Sequence, residues 1–387
     1  MKPRSYLDHN ATSPLRPEAR AAMVAALDRF GNPSSVHGEG RAAREIVEDA
    51  RERVAGIFGV EPFSVYFTCG GTEAANWLLQ PRGDETLAHT AVEHPCVLSG
   101  HRFETANVRA VPVLKDGIVD LDALGASLSA GSIAAVQAAN NETGVTQPIR
   151  AVAQVAHAKG ALLVCDAVQA VGRLPLSDLK EVDALFFSAH KFGGPKGAGA
   201  AIFLNPQFMP APLLKGGGQE RRQRSGTENV PGIAGLAAGL EVADEEQASF
   251  AARAEALRRQ LESGLRAIAL DAVIFAEGAK RLPNTTCFAI PGKSAEFCLI
   301  AFDLEGVAVS SGSACSSGKV ERSHVLAAMG VPAELSRGAV RVSTGWTTTE
   351  ADIERFLTVL SRICGSRTAR HGNCSSAEES PRAAPAV

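Results

Sequence analysis

Residues Leu185-Phe186-Phe187-Ser188-Ala189-His190-Lys191-Phe192-Gly193-Gly194 join an apolar run to a polar turn that ends in glycines. A run this short and aromatic, bounded by turn residues, reads as a buried strand, and the polar residues behind it mark its carboxyl end. Runs of the same kind stand on either side: Val65 to Thr68, Ile133 to Val136, Leu162 to Cys165 and Ala200 to Phe203. Between them lie amphipathic stretches of helix length, such as Ile149 to Lys159. This alternation over residues 60–205 is the pattern of a largely parallel sheet covered on both faces, and so of the α/β class. Ligands of such sheets collect at the carboxyl ends of the strands, so the polar residues after each run are the candidates for function.

Further along, Val230 to Ile268 is rich in Ala, Leu, Glu and Arg and reads as one long helical stretch. Beyond it the order is strand (Thr285 to Ile290), helix (Ala295 to Leu304), strand (Val307 to Ser310), strand (Val340 to Ser343) and a last helix from Thr349 to Ile363. The expected organisation is a large domain over 15–250 and a smaller α/β domain built from 1–14 with 251–364. Residues 365–387 lack apolar periodicity and are expected to be a disordered tail.

Composition narrows the function classes. The 387 residues are 45% hydrophobic and 21% charged, with a formal net charge of -3, so no basic excess exists to neutralise a nucleic-acid backbone. No apolar run is long enough to cross a bilayer, and the start Met1-Lys2-Pro3-Arg4 lacks the apolar core of a secretory signal. The eight cysteines are scattered, mostly within apolar runs, which suits a reducing cytoplasm better than a disulfide framework.

The strand ends carry chemistry. After Phe67 come Thr68-Cys69-Gly70-Gly71-Thr72-Glu73 and then helix formers, a glycine turn whose free N–H groups suit a phosphate. Other ends bring Asn140-Asn141-Glu142-Thr143-Gly144, Asp166-Ala167-Val168-Gln169 and Lys191. Neither the first turn nor Gly193-Gly194-Pro195-Lys196-Gly197 has the spacing of a nucleotide P-loop. Lys191 is delivered to the ligand edge, where desolvation makes an amine nucleophilic. A lysine, an aspartate, a glutamine and an asparagine beside a phosphate cradle are what a pyridoxal-phosphate site requires: the lysine forms a Schiff base, and the carboxylate keeps the ring nitrogen protonated.

These segments, with Glu93-His94, Arg224-Ser225-Gly226-Thr227 and Ser311-Gly312-Ser313-Ala314-Cys315, closely resemble the cysteine desulfurases of iron–sulfur cluster assembly, within the class V aminotransferases. The resemblance implies a fold type I pyridoxal-phosphate transferase, with a mostly parallel seven-stranded sheet in the large domain. It implies a Schiff base at Lys191, a salt bridge from Asp166 to the pyridine nitrogen and a hydrogen bond from Gln169 to the phenolic oxygen. His94 would stack on the ring and exchange protons, and Asn141 would line the substrate side. Gly71, Thr72, Ser188 and His190 would hold the phosphate together with Thr227 of the partner subunit, which implies a homodimer. Ala189 stands where relatives often carry glycine. The run His89 to His94 has one residue too many for an inverted zinc-protease motif, and no metal is expected.

Cys315 lies in Ser310-Ser311-Gly312-Ser313-Ala314-Cys315-Ser316-Ser317-Gly318, where all but two of nine residues are Ser or Gly. That composition favours a mobile segment, and mobility suits a thiol that takes sulfur inside a cleft and presents it outside. Arg341, inside an apolar run, needs an anionic partner. By resemblance that partner is the α-carboxylate of the substrate, L-cysteine. The expected reaction leaves alanine and a persulfide on Cys315, destined for a scaffold or other acceptor protein of iron–sulfur assembly, nitrogenase maturation included. Two alternatives stay open: a selenocysteine lyase or other pyridoxal-phosphate aminotransferase, and a non-catalytic sulfur or cluster carrier.

Overall fold

Each apolar run becomes a strand buried on both faces. The computed structural model describes residues 4–312 and 322–365, so Cys315 and residues 366–387 lie outside the described residues. Seven strands form the large sheet in the order Val65–Thr68, Gly199–Phe203, Ala184–Ser188, Leu162–Asp166, Ile133–Gln137, Leu87–Thr90 and Val108–Val111. Only Gly199–Phe203 runs antiparallel to its neighbours. Successive side chains point to opposite faces of a strand, so each run divides between two cores. Leu163, Cys165, Leu185 and Phe187 pack with Val47, Val54, Val152 and Leu236 from the helices on one face. Val164, Phe186 and Tyr66 pack with Trp77 and Phe208 on the other.

Two of these strands escaped the sequence reading for identifiable reasons. Leu87-Ala88-His89-Thr90 mixes apolar and polar residues, and Val108–Val111 is an edge strand with exposed Arg109 and Ala110.

A second core gathers around an antiparallel sheet ordered Ser310–Ser311, Val340–Ser343, Thr285–Ala289 and Val273–Ile274. Leu257, Leu261 and Leu265 pack there with Phe302 and Phe356, whose rings stack 4.8 Å apart. The chain start belongs to this core as well. Ser5–Tyr6 pairs in parallel with Val307–Ala308, and Leu7 is fully buried among these residues.

Three boundaries differ from expectation. The long helical stretch is two helices, Val230–Glu245 and Gln247–Ile268, broken at Glu246. The first buries Ile233, Leu236 and Leu240 in the large core and the second buries Leu257, Leu261 and Leu265 in the other. The break lets the chain change cores, and the expected boundary at 250/251 falls inside the second helix. The strand read from Val307 to Ser310 is two short strands that pair with different partners, the first with Ser5–Tyr6 and the second with Val340–Ser343. Gly365, assigned to the tail, ends the last helix, Glu350–Gly365. Among the described residues no helix is long and apolar enough to cross a membrane.

Candidate active site

The carboxyl ends of the parallel strands open into a cavity of about 550 Å³. Asp166 and Ser188 are the last residues of their strands, and Lys191 follows in a single helical turn, Ala189–Lys191. Gly71 and Thr72 begin the helix Gly71–Leu78. All of these line the cavity, as do His94, Asn141, Gln169, His190 and Arg341. Thr227 does not. It lines a smaller neighbouring cavity, on a loop that Arg224 ties to Glu73 at 2.8 Å.

The helix start requires its glycines. Gly70 has φ +155°, and a Cβ on Gly71 would stand 2.9 Å from Val168 Cγ2. The start of this helix, where N–H groups suit an anion, lines the cavity together with Ser188. Asp166 accepts the Val168 N–H at 2.9 Å. Burial pushes its carboxyl up to about 6, against the opposing pull of that N–H and of Lys191. Lys191 Nζ donates to the carbonyls of Asn10 at 2.8 Å and Ala11 at 2.9 Å, so the N-terminal segment touches the amine itself.

Burial also sets the histidines. His94 is pushed down to about 4 by desolvation, then by the charges of Lys191 and His324. It is therefore neutral above that pH. Its Nδ1 accepts the Cys96 N–H at 3.1 Å, which leaves the ring proton on Nε2. His190 is likewise pushed down to about 4, by desolvation and then by Lys191, and its Nδ1 lies 3.1 Å from Thr12 Oγ1.

Arg341 is 1% exposed. Its Nη2 donates to Asp8 Oδ1 at 2.6 Å and its Nη1 to the Asn141 carbonyl at 3.0 Å, while Nε has no hydrogen-bond partner among the described residues. The expectation that this guanidinium needs an anion holds, yet Asp8 supplies one from within the chain. Gln169 is similarly engaged: its Nε2 donates to the Asn10 carbonyl at 3.0 Å, and its Oε1 accepts from Arg173.

The arrangement has recognisable relatives. The family described as aminotransferase class-V matches residues 5–356. A cysteine desulfurase of Cereibacter sphaeroides is 43% identical over 375 residues, 93% of this chain and 95% of that protein. This chain belongs to the class-V aminotransferases, in their cysteine desulfurase branch. A cysteine desulfurase IscS of Dictyoglomus turgidum is 39% identical over 94% of this chain and 95% of its own length. A solved structure titled a NifS-like protein superposes with a TM-score of 0.87 at 36% identity, over 94% of this chain and all of that one. The chain is accordingly a pyridoxal-phosphate-dependent enzyme.

Its residues fit that cofactor on their own geometry. The buried Asp166 carboxylate would be relieved by a cation, which a protonated pyridine nitrogen supplies. The glycine turn at the helix start and the Lys191 amine line the same cavity, where helix-start N–H groups suit a phosphate.

Sequence reasoning left several residues of this region without a role. Glu93 is fully buried, accepts from Thr90 Oγ1 at 2.6 Å and from the Gln137 N–H at 2.9 Å, and burial pushes it up to about 8. Glu142 accepts from Ser323 Oγ at 2.5 Å, and burial pushes it up to about 7. Its Oε2 lies 3.6 Å from where a Cβ on Gly312 would be, so one carboxylate is near Gly312 and Ser323, on either side of 313–321. Both glutamates stood inside quoted motifs, but only their burial shows that they are unusual. Among the described residues no group of His, Cys, Asp or Glu is arranged to hold a metal ion.

Proposed function

We propose that this chain converts L-cysteine to L-alanine and carries the released sulfur as a persulfide on Cys315 to an acceptor protein. The observation that carries the reading is a single cavity lined by Lys191, Asp166, His94 and Arg341, an amine, a buried anion, a neutral imidazole and a guanidinium. Pyridoxal phosphate, when bound, supplies an electron sink that lets the substrate's α-proton leave. Lys191 would hold the cofactor covalently, and its amine, once free, would move that proton. Asp166 would pair with the ring nitrogen, and Gly71, Thr72, Ser188 and His190 would hold the phosphate. Arg341 turns from Asp8 to the substrate carboxylate, with Asn141 beside it. His94, neutral at working pH, takes and returns the thiol proton of the substrate.

The Cys315 thiolate then attacks the substrate sulfur. An S–S bond forms, the Cβ–S bond breaks and a proton goes to the carbon, so cysteine and an enzyme thiol become alanine and an enzyme persulfide. Supplying cysteine and measuring alanine and sulfide together tests the reading. Equal yields are expected with a reductant present, and both should vanish in Cys315→Ser while the yellow cofactor band persists. Turnover undiminished in that variant would sink the assignment.

Three finer proposals accompany it. The acceptor is an iron–sulfur scaffold, nitrogenase maturation being one setting. The enzyme works as a homodimer in which Thr227 of the partner subunit reaches the phosphate, a reading supported by the place of Thr227 outside the cofactor cavity of its own chain. The compartment is the cytoplasm, which suits the free thiols of Cys69, Cys96, Cys165, Cys287, Cys298 and Cys364.

A further inference from the structure

Behind the wall that presents Gln169 and Lys191 lies a second buried guanidinium. Arg173, four residues after Gln169, is 4% exposed. Among the described residues its hydrogen-bond acceptors are oxygens of uncharged groups. Nη1 donates to Gln169 Oε1, and Nη2 donates to the Lys191 carbonyl at 3.0 Å and the His9 carbonyl at 3.2 Å. Burial pushes the guanidinium down to about 9, with the charge of Arg341 adding to the effect. A cation held this way is costly, and an apolar side chain of similar volume would be cheaper. Its contacts say what it accomplishes.

A glutamine amide can present either its oxygen or its nitrogen to a ligand, and the two faces are nearly the same shape. Here the oxygen is taken from behind by Arg173, which sends Nε2 forward. One N–H of that nitrogen goes to the Asn10 carbonyl at 3.0 Å, and the other remains for the cavity that Gln169 lines. The same guanidinium holds the Lys191 carbonyl, so one group sets both the amide and the backbone of the lysine.

We propose that Arg173 is a positioning residue that locks the Gln169 amide with its nitrogen toward the cavity, so that the phenolic oxygen of the cofactor meets a donor and never the amide oxygen. The proposal rests on the assignment of Gln169 to that oxygen. Without Arg173 the amide keeps only the Asn10 carbonyl to orient it, and an amide that turned would set its oxygen against an anionic oxygen. A hydrogen bond to a charged acceptor corresponds to about a tenfold to hundredfold change in affinity.

A double-mutant cycle on the whole enzyme tests it, with apoprotein titrated by pyridoxal phosphate and binding followed by the visible band. Arg173→Met should weaken cofactor binding about tenfold or more when Gln169 is present, and about twofold at most in the Gln169→Leu background. The visible absorption maximum of the bound cofactor should move in the same direction in both single variants and no further in the double variant. Equal losses in both backgrounds would make Arg173 a structural bolt and overturn the proposal. Unchanged affinity in Gln169→Leu alone would overturn it through its premise, by removing Gln169 from the phenolic oxygen. Should Arg173→Met not fold, the same cycle is run with Arg173→Lys, which keeps the charge but loses the fork.

Discussion

The two walls of the cofactor cavity hold their charges in opposite conditions. On the wall built by the large sheet, Asp166 is a buried anion whose carboxyl sits about two units above its ordinary value, at about 6. On the facing wall, Arg341 of strand Val340–Ser343 is a buried cation already matched by Asp8 at 2.6 Å. On the proposed roles, a cofactor cation would gain an ion pair outright with Asp166. A substrate carboxylate would gain only the difference between its own pairing with Arg341 and the one it displaces. The cofactor wall is therefore preorganised for tight, lasting occupancy, and the substrate wall for exchange.

Asp166→Asn bears hardest on this contrast. It should cost about 10²- to 10³-fold in kcat/KM, the size expected when one electrostatic stabiliser is lost. The same change should stabilise the cofactor-free protein. The carboxyl is raised from 3.8 to about 6, so its contribution to stability is complete below pH 3.8 and is lost as pH rises through about 6. Thermal denaturation of apoprotein at pH 8 should show the Asn variant melting higher, with the gap closing near pH 4; a lower midpoint at pH 8 would remove Asp166 from the role of waiting anion.

Arg341→Lys addresses the other wall. Losing the planar fork should raise the KM for cysteine about tenfold to hundredfold, with a smaller effect on kcat and no change in the cofactor band. An unaltered KM would mean that Arg341 serves Asp8 alone.

The glutamates behind the walls bear on stability alone and leave turnover least affected. Glu93 and Glu142 are raised from 4.5 to about 8 and about 7, so their stabilising contribution is present below pH 4.5 and lost as pH rises through those values. Glu93→Gln and Glu142→Gln should each melt higher than the parent at pH 9, by up to a few kcal/mol at about 1.36 kcal/mol per pKa unit, and Glu93→Gln should gain more. Melting curves that stay parallel from pH 5 to pH 9 would show that neither carboxylate carries an uncompensated charge.

The large sheet was legible because each central strand is an unbroken apolar run of four or five residues; Asp166 and Ser188 follow such runs directly, and Lys191 comes one turn later. The weaker strands Leu87–Thr90 and Val108–Val111 were not, since mixed or edge strands lose the continuous apolar signal. The split at Glu246 was invisible for another reason. Both halves have good helix formers, and only the change of core between Leu240 and Leu257 requires a break.

What the sequence by itself determined is the cofactor wall: local motifs at the ends of strands, where a few adjacent residues carry the whole signal. It also singled out Cys315 by its Ser/Gly segment and Arg341 by its place in an apolar run, their roles coming from resemblance. Only the tertiary structure decided how the charges are met. Asp8 reaches Arg341 across 333 positions, Glu142 meets Ser323 across 181, and Arg173 gathers Gln169, Lys191 and His9 around one guanidinium. The physical reason is that a buried charge must find its partners within hydrogen-bond distance in space, and spacing along the chain does not encode which distant segment will supply them.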